Sequence, residues 1–121
     1  MILTDSSIWV DHLRHGDARL ARDLEASRVF THPFIIGEIA LGSLRQRATV
    51  LDLLRGLPEA AVANDAEVQR LIKRQPLYSL GIGYVDAHLI AATLLTPGLR
   101  LRTRDRRLHE VASQMGLAEE P

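Results

Sequence analysis

The sequence predicts an α/β fold in three layers, with helices on both faces of a short, mainly parallel central sheet of four to five strands. Short apolar segments rich in β-branched residues alternate with helical patterns, and turn residues separate the two. One late helix is apolar nearly all round, which is typical of a buried position. With 121 residues and no linker, repeat or low-complexity segment, residues 1–121 are predicted to form a single domain.

The first half of the chain begins with a short buried strand, "ILT", followed directly by Asp5. A helix over "SIWVDHLRHG" can end at Gly16, and Asp17 is a suitable cap for the next helical pattern, "DARLARDLEAS". The segment "RVFTH" predicts a second strand. Pro33 suits the first position of a helix that runs through "FIIGEIALGSLRQR", and "ATVLDLLRGL" predicts another helix that ends at Gly56.

The second half repeats the alternation, starting with "EAAVA" as a candidate third strand. Asn64 or Asp65 would cap a helix over "AEVQRLIKRQ", which Pro76 closes. A glycine-containing loop, "LYSLGIGY", precedes the apolar helix "VDAHLIAATLL". The segment "LRLRT" predicts a fourth strand, Asp105 opens the last helix, "RRLHEVASQMG", and "LAEEP" is either a short edge strand or a frayed end.

Composition excludes several classes of protein. The absence of cysteine rules out disulfides and thiolate metal sites, and it fits a reducing compartment. No signal-peptide pattern is seen and no apolar run approaches the ~18 residues that span a bilayer, so we expect a cytoplasmic protein without a membrane partner. A formal net charge of zero argues against broad, nonspecific attraction to nucleic acid.

Basic residues are unevenly distributed. Fourteen of the fifteen are Arg, and five of these fall within "RLRTRDRR" at positions 100–107. A guanidinium matches the geometry of phosphate oxygens better than an ammonium does, so Arg104, Arg106 and Arg107 are candidate phosphate contacts. A solvated helix start explains the run equally well.

Two acidic residues follow predicted strands. Asp5 comes directly after "ILT", and Asp105 comes shortly after "LRLRT". In open parallel sheets, ligands bind beyond the carboxyl ends of the strands, so both carboxylates are expected at one rim. Helix capping is the simpler role for each of them, although Ser6 or Ser7 could cap the first helix alone.

Two further acids, Glu38 and Asp86, interrupt helices whose other residues are nearly all apolar. A charge at such a position is rare unless it is paired, and Asp86 also lies near a helix start, where the helix dipole favours a negative charge. If three or four carboxylates converged in a poorly solvated pocket, they would repel each other unless a cation lay among them. Oxygen ligands select Mg²⁺ or Mn²⁺, and this chemistry supports metal-assisted hydrolysis of a phosphodiester.

The segments "TDSSIWVDHLR", "EIALG", "YVDAHLIAA" and "LRTRDRRL" resemble, in this order, the motifs of the PIN-domain ribonucleases, and most closely those of VapC toxins from bacterial toxin–antitoxin pairs. The resemblance implies a PIN-like fold and a catalytic set with supporting hydroxyl residues. The implied catalytic residues are Asp5, Glu38, Asp86 and Asp105, of which Asp5, Asp86 and Asp105 are the assigned metal ligands, and the implied supporting residues are Ser6, Ser7 and Thr103.

The same resemblance implies a Mg²⁺- or Mn²⁺-dependent endoribonuclease that cuts structured RNA such as tRNA or rRNA. It also implies a homodimer, alone or within a higher-order complex, and a VapB-type antitoxin whose C-terminal segment reaches the acidic pocket and places an Arg among the carboxylates. In that setting Arg104, Arg106 and Arg107 become candidate RNA contacts. Residues 34–54 contain leucines that either line the antitoxin groove or belong to the core: Leu41, Leu44, Leu51 and Leu54.

Other functions fit less well or remain open. A signalling receiver domain needs a pair of adjacent acids after its first strand and a Lys at the end of a late strand, whereas here serines follow Asp5 and the single Lys, Lys73, lies in a predicted helix. A catalytically weak or inactive PIN-like module that only binds antitoxin or RNA stays an alternative. Cleavage of DNA instead of RNA also stays open, because the chemistry does not distinguish the sugar.

Overall fold

The structure is a computed structural model that describes residues 1–119, and within them the chain forms three strands and seven helices. The alternation of strands and helices confirms the predicted α/β class. The strands are β1 (Ile2–Thr4), β2 (Val29–Phe30) and β3 (Arg100–Arg102). The helices are α1 (Ser6–His15), α2 (Ala18–Glu25), α3 (Pro33–Ala40), α4 (Arg47–Arg55), α5 (Asp65–Arg74), α6 (Tyr84–Leu95) and α7 (Arg106–Gln114).

The three strands form one parallel sheet in the order β2-β1-β3. Leu3 of the central strand pairs with Phe30 on one side and Leu101 on the other. Because all strands run in the same direction, their carboxyl ends meet at one edge of the sheet. Asp5 continues β1 at this edge, and its backbone N–H donates to the carbonyl of Arg102 at 3.2 Å.

The prediction of four to five strands is wrong, since residues 1–119 contain three. The segments "EAAVA" and "LAEEP" each contribute one parallel bridge, Thr31 with Glu59 and Leu101 with Ala118, and do not extend into ladders. The alanine-rich sequence after Glu59 has low β propensity, which is a physical reason for the short pairing there. The last two residues of "LAEEP" lie outside the described residues.

The helix predicted through "FIIGEIALGSLRQR" is also too long. α3 ends at Ala40, and α4 begins only at Arg47, after Gln46 in a left-handed conformation with φ of 51°. The intervening turn, which contains a glycine and a serine, leaves Leu41 91% exposed, whereas Leu54 is fully buried. The candidate leucines therefore divide between surface and core.

The core lies around the sheet and beneath the helices packed on it. α1 contacts β1 and α3, α2 contacts β2, and both α6 and α7 contact β3. No helix among residues 1–119 has the length and apolar character required to cross a membrane. The largest fully buried side chains are Trp9, Ile2, Leu3, Ile8, Leu20, Ile35, Leu54, Leu89, Ile90, Leu101, Leu108 and His32. This packing fixes the starts of α1, α6 and α7 near the carboxyl edge of the sheet.

Candidate active site

An open cavity of about 520 Å³ lies beyond the carboxyl ends of β1 and β3. It brings together the four acidic residues selected from the sequence and both serines that follow the first strand. The residues that line it are Asp5, Ser6, Ser7, Val10, Asp11, Glu38, Asp86 and Asp105. Four separate segments of chain, the β1–α1 junction, α3, α6 and the β3–α7 junction, therefore supply one acidic pocket.

Asp5 is the most buried of these carboxylates, with 6% of its surface exposed. It caps α1, because its side chain accepts from the backbone N–H of Ser7 at 3.2 Å, and the Ser7 hydroxyl donates to the same oxygen. The hydroxyl of Thr103 donates to the other oxygen. Burial raises the pKa of Asp5 above its ordinary value, although these hydrogen bonds oppose the shift.

Thr103 connects the two strand ends of the pocket. Its side chain is 1% exposed, and its hydroxyl donates to Asp5 while accepting the backbone N–H of Asp105 at 3.0 Å. Asp105 in turn caps α7 by accepting from the N–H of Leu108 at 3.0 Å. Asp5 and Asp105 are therefore helix caps and pocket residues at once.

Asp86 lies in the first turn of α6, where its carboxylate accepts from the backbone N–H of Gly83 at 3.0 Å. Burial raises the pKa of Asp86, and the negative charges of Asp105 and Asp5 raise it further, against the effect of the Gly83 hydrogen bond. The negative charges of Asp5 and Asp105 therefore lie near enough to Asp86 to disfavour its ionised form.

Glu38 projects from α3 into the same pocket. Partial burial of its carboxyl group raises its pKa, as do the charges of Asp86 and Asp5, while a hydrogen bond from the Ser6 hydroxyl lowers it. Three of the four carboxyl groups thus have raised pKa values, with burial as the largest cause in each.

The four predicted catalytic carboxylates have no basic partner in the described part of the chain, although Asp11 of the same pocket pairs with Arg104. Within residues 1–119, none of the ion pairs involves Asp5, Glu38, Asp86 or Asp105. In the same described part of the chain, no three acidic or histidine side chains lie close enough together to form a complete metal-binding group. An uncompensated set of oxygen donors still fits a hard divalent ion, because Mg²⁺ commonly binds through one or two carboxylates and retains several waters.

Comparison with known proteins identifies the family. A model of the PIN domain matches residues 2–114. The chain belongs to the PIN-domain family. It is 46% identical over 118 residues to Ribonuclease VapC32 of Mycobacterium tuberculosis strain CDC 1551 / Oshkosh, an alignment that covers 98% of this chain and 95% of the relative. Ribonuclease VapC32 of strain ATCC 25618 / H37Rv gives the same values. These matches confirm the resemblance to the VapC group seen in the motifs.

The three candidate RNA-contacting arginines of this PIN domain differ in their surroundings. Arg104 is held by two ion pairs, to Asp11 at 2.7 Å and to Asp17 at 2.6 Å. Arg107 packs against the backbone of Gly81, whereas Arg106 has no ion pair within residues 1–119. Asp11 is a pocket residue that sequence reasoning missed, and no sequence signal marks it, since its partner Arg104 is 93 positions away.

The PIN domain buries two histidines, one at the start of α3 and one within α6. His32 is fully buried and caps α3 by accepting from the N–H of Phe34 at 3.0 Å. The ring of Phe34 lies 4.5 Å from that of His88, which is 4% exposed. Burial, together with the nearby charge of His88, lowers the pKa of His32 to about 4, so its imidazole is neutral at physiological pH.

Proposed function

We propose that this PIN domain is a Mg²⁺- or Mn²⁺-dependent endoribonuclease toxin that hydrolyses phosphodiester bonds in structured RNA such as tRNA or rRNA. The observation that carries the proposal is the shared pocket of Asp5, Glu38, Asp86 and Asp105, which has no basic partner among the described residues. The similarity to relatives named ribonuclease supports the choice of RNA as substrate.

The donor set suggests a division of roles. Of Asp5, Asp86 and Asp105, one or two would bind the divalent ion directly and the rest through water molecules. The bound ion would lower the pKa of a water molecule and neutralise charge on the phosphate. Glu38 projects into the same pocket with a raised pKa, so it is suited to accept the proton of the attacking water. The Ser7 and Thr103 hydroxyls fix the orientation of Asp5 from opposite sides.

A VapB-type antitoxin is the proposed regulator. A second cavity adjoins the acidic pocket and shares Val10 and Glu38 with it; its other lining residues are Leu13, Arg14, Ile39, Gly42, Ser43 and Leu44. An antitoxin segment lying along this mostly apolar groove could place a basic side chain beside Glu38. A guanidinium there would supply the positive charge that the pocket lacks.

Two further parts of the proposal follow from the family. We expect a homodimer, within a higher-order complex when antitoxin is bound, and mass measured by light scattering tests this. We also expect the protein in the cytoplasm, where structured RNAs and a cognate antitoxin are both present.

The test is cleavage of purified tRNA and rRNA, with product ends mapped by sequencing. The parent should cleave in Mg²⁺ or Mn²⁺ and stop cleaving when the metal is chelated, whereas Asp86→Asn should lose at least a hundredfold in rate because a pocket carboxylate is removed. The matched control is Glu25→Gln, which changes an exposed acid outside the pocket and should cleave like the parent.

The alternative of a catalytically inactive binding module predicts a different result. A parent protein that binds RNA or antitoxin but gives no metal-dependent cleavage would support the module and overturn the nuclease. Cleavage of single-stranded DNA at the same rate as RNA would overturn the choice of substrate.

A further inference from the structure

The arginine-rich segment at positions 100–107 does not form a uniform basic surface. Arg100 donates to the backbone carbonyl of Ala118 at 3.0 Å. Arg102 is buried, with 2% of its surface exposed, and pairs with Asp23 at 2.7 Å and with Glu119 at 2.9 Å. Two of the five arginines therefore bind the C-terminal segment at Ala118 and Glu119.

The next two committed arginines stabilise the surroundings of the pocket. Arg104 pairs with Asp11 and Asp17, so its charge is compensated twice. Arg107 packs on Gly81, where an added Cβ atom would lie 2.5 Å from its Nη1 atom. This contact joins α7 to the loop that precedes the Asp86 helix.

Arg106 and Arg107 are both exposed, and neither side chain has an ion pair or a hydrogen bond within residues 1–119. Arg107 packs on Gly81, whereas Arg106 lines a cavity. Together with Thr103, Arg104 and His109 it lines a separate open cavity of about 460 Å³. Arg106 and His109 are three residues apart on α7, so they share one face of the helix. The His109 ring is held by the Ser113 hydroxyl at 3.3 Å.

This basic cavity adjoins the acidic pocket through a common wall. Thr103 lines the basic cavity while its hydroxyl donates to Asp5 of the acidic pocket, and Asp105 of that pocket directly precedes Arg106. An uncompensated guanidinium therefore directly follows a carboxylate of the acidic pocket along the chain.

We infer that Arg106, in the cavity that His109 also lines, forms a phosphate subsite that binds a backbone phosphate of the RNA next to the one cleaved. The inference rests on the proposed function, since RNA supplies the neighbouring phosphate. Four carboxylates repel a polyanion, so productive binding needs a cation close to the pocket but outside it. The guanidinium of Arg106 provides such a cation, and it can bind two phosphate oxygens at once, which a Lys ammonium cannot do.

The test measures the coupling between Arg106 and individual phosphates. The probe is a fluorescent 12-nucleotide RNA stem-loop, together with a set in which one phosphate at a time is replaced by an uncharged methylphosphonate. Binding is measured over a range of salt concentrations with Ca²⁺ as the divalent ion, for the parent, Arg106→Ala and Arg106→Lys. The control is Arg22→Ala, which removes an exposed arginine of α2 that lines neither cavity.

Arg106→Ala should weaken binding of the unmodified RNA about tenfold and reduce the slope of log affinity against log salt by about 0.7–0.9, as for one lost phosphate contact. Arg106→Lys should recover the slope but only part of the affinity, and Arg22→Ala should match the parent. One methylphosphonate position should weaken binding to the parent and have no effect on Arg106→Ala.

Two results would overturn the subsite. One is an Arg106→Ala variant with parental affinity and salt slope, and the other is a variant that remains sensitive to every methylphosphonate that affects the parent. Cleavage of the unmodified RNA in Mg²⁺ is scored separately. A parent that shows the Arg106 coupling without cleavage would retain the subsite and contradict the nuclease, so the two failures are distinguishable.

Discussion

Replacing Thr103 by Val removes the hydroxyl that connects the two strand ends of the acidic pocket. This hydroxyl donates to the buried carboxylate of Asp5 and accepts the backbone N–H of Asp105 at 3.0 Å. Valine has nearly the same shape, so the substitution deletes two hydrogen bonds without leaving a large cavity. The perturbation is therefore confined to the polar contacts of the site.

The expected loss follows from those two contacts. A hydrogen bond to a charged group contributes about 1.5–3 kcal/mol, and a backbone N–H left without an acceptor costs about 1–3 kcal/mol. Because the added methyl group of Val recovers part of this, we expect the free energy of unfolding of Thr103→Val to fall by about 3 kcal/mol. With a urea dependence of about 1.5 kcal/mol/M, the unfolding midpoint should fall by about 2 M.

The assay is urea unfolding followed by circular dichroism, with Thr4→Val as the matched control. Thr4 is fully buried at the end of β1, and its hydroxyl has no hydrogen-bond partner within the described residues. Replacing it by Val should leave the unfolding midpoint unchanged or raise it slightly. If Thr103→Val unfolds at the parental urea concentration, or if Thr4→Val is equally unstable, the reasoning about Thr103 is refuted.

Three other perturbations test separate parts of the structure. Gly81→Ala should lower the free energy of unfolding by about 2 kcal/mol, because φ at Gly81 is +79° and the added Cβ would meet the Arg107 side chain. Gly37→Ala in helix α3 is the control and should raise the free energy of unfolding by up to about 1 kcal/mol. As pH falls from 6.5 towards 4, unfolded His32 takes up a proton that folded His32 does not. The contribution of His32 to stability should therefore decline by about 1.4 kcal/mol per pH unit, to at most about 3 kcal/mol, and His32→Asn should remove this contribution. Arg102→Ala should cost about 3 kcal/mol, because it leaves the largely buried Asp23 poorly compensated.

Urea or thermal unfolding measures all three, and each has an outcome that contradicts it. Equal changes in the free energy of unfolding for Gly81→Ala and Gly37→Ala would show that the left-handed conformation at Gly81 does not make its substitution costly. A pH dependence between 6.5 and 4 that is the same in the parent and in His32→Asn would show that His32 is protonated in the fold. For Arg102 the control is Arg28→Ala, an exposed partner of Asp23 at 3.8 Å, and an equally large loss in that variant would contradict the role of burial.

The alternation of strands and helices could be read from the sequence because it depends on local patterns. Caps at Asp17, Asn64 and Asp105, and the proline start of α3, lie where local chemistry indicates. The length of α3 and the number of strands could not be read, because tertiary contacts decide them. A glycine and a serine after Leu41 end the apolar pattern in a turn, and the edge segments make only single bridges.

The acidic pocket could be anticipated because each carboxylate contradicts its local setting: two follow strands and two interrupt apolar helices. The behaviour of the arginines could not, since their partners are distant in sequence. In the sequence, Arg102 is one member of a run typical of a solvated surface, yet it is buried and forms ion pairs with Asp23 and Glu119. Arg104 forms an ion pair with Asp11, which is distant in sequence. The convergence of the four acids on one pocket could therefore be anticipated from the sequence, whereas the partners of the arginines could not.

The most direct test of the proposed cation requirement is the melting temperature of the parent and of Asp86→Asn, each measured with chelator and with Mg²⁺. If the carboxylates repel one another, the parent should gain a few degrees in Mg²⁺, since a ligand at ten times its dissociation constant stabilises by about 1.4 kcal/mol. Asp86→Asn should melt higher than the parent in chelator and respond less to Mg²⁺. A parent unaffected by millimolar Mg²⁺, with an Asp86→Asn variant that melts lower in chelator, would contradict the account.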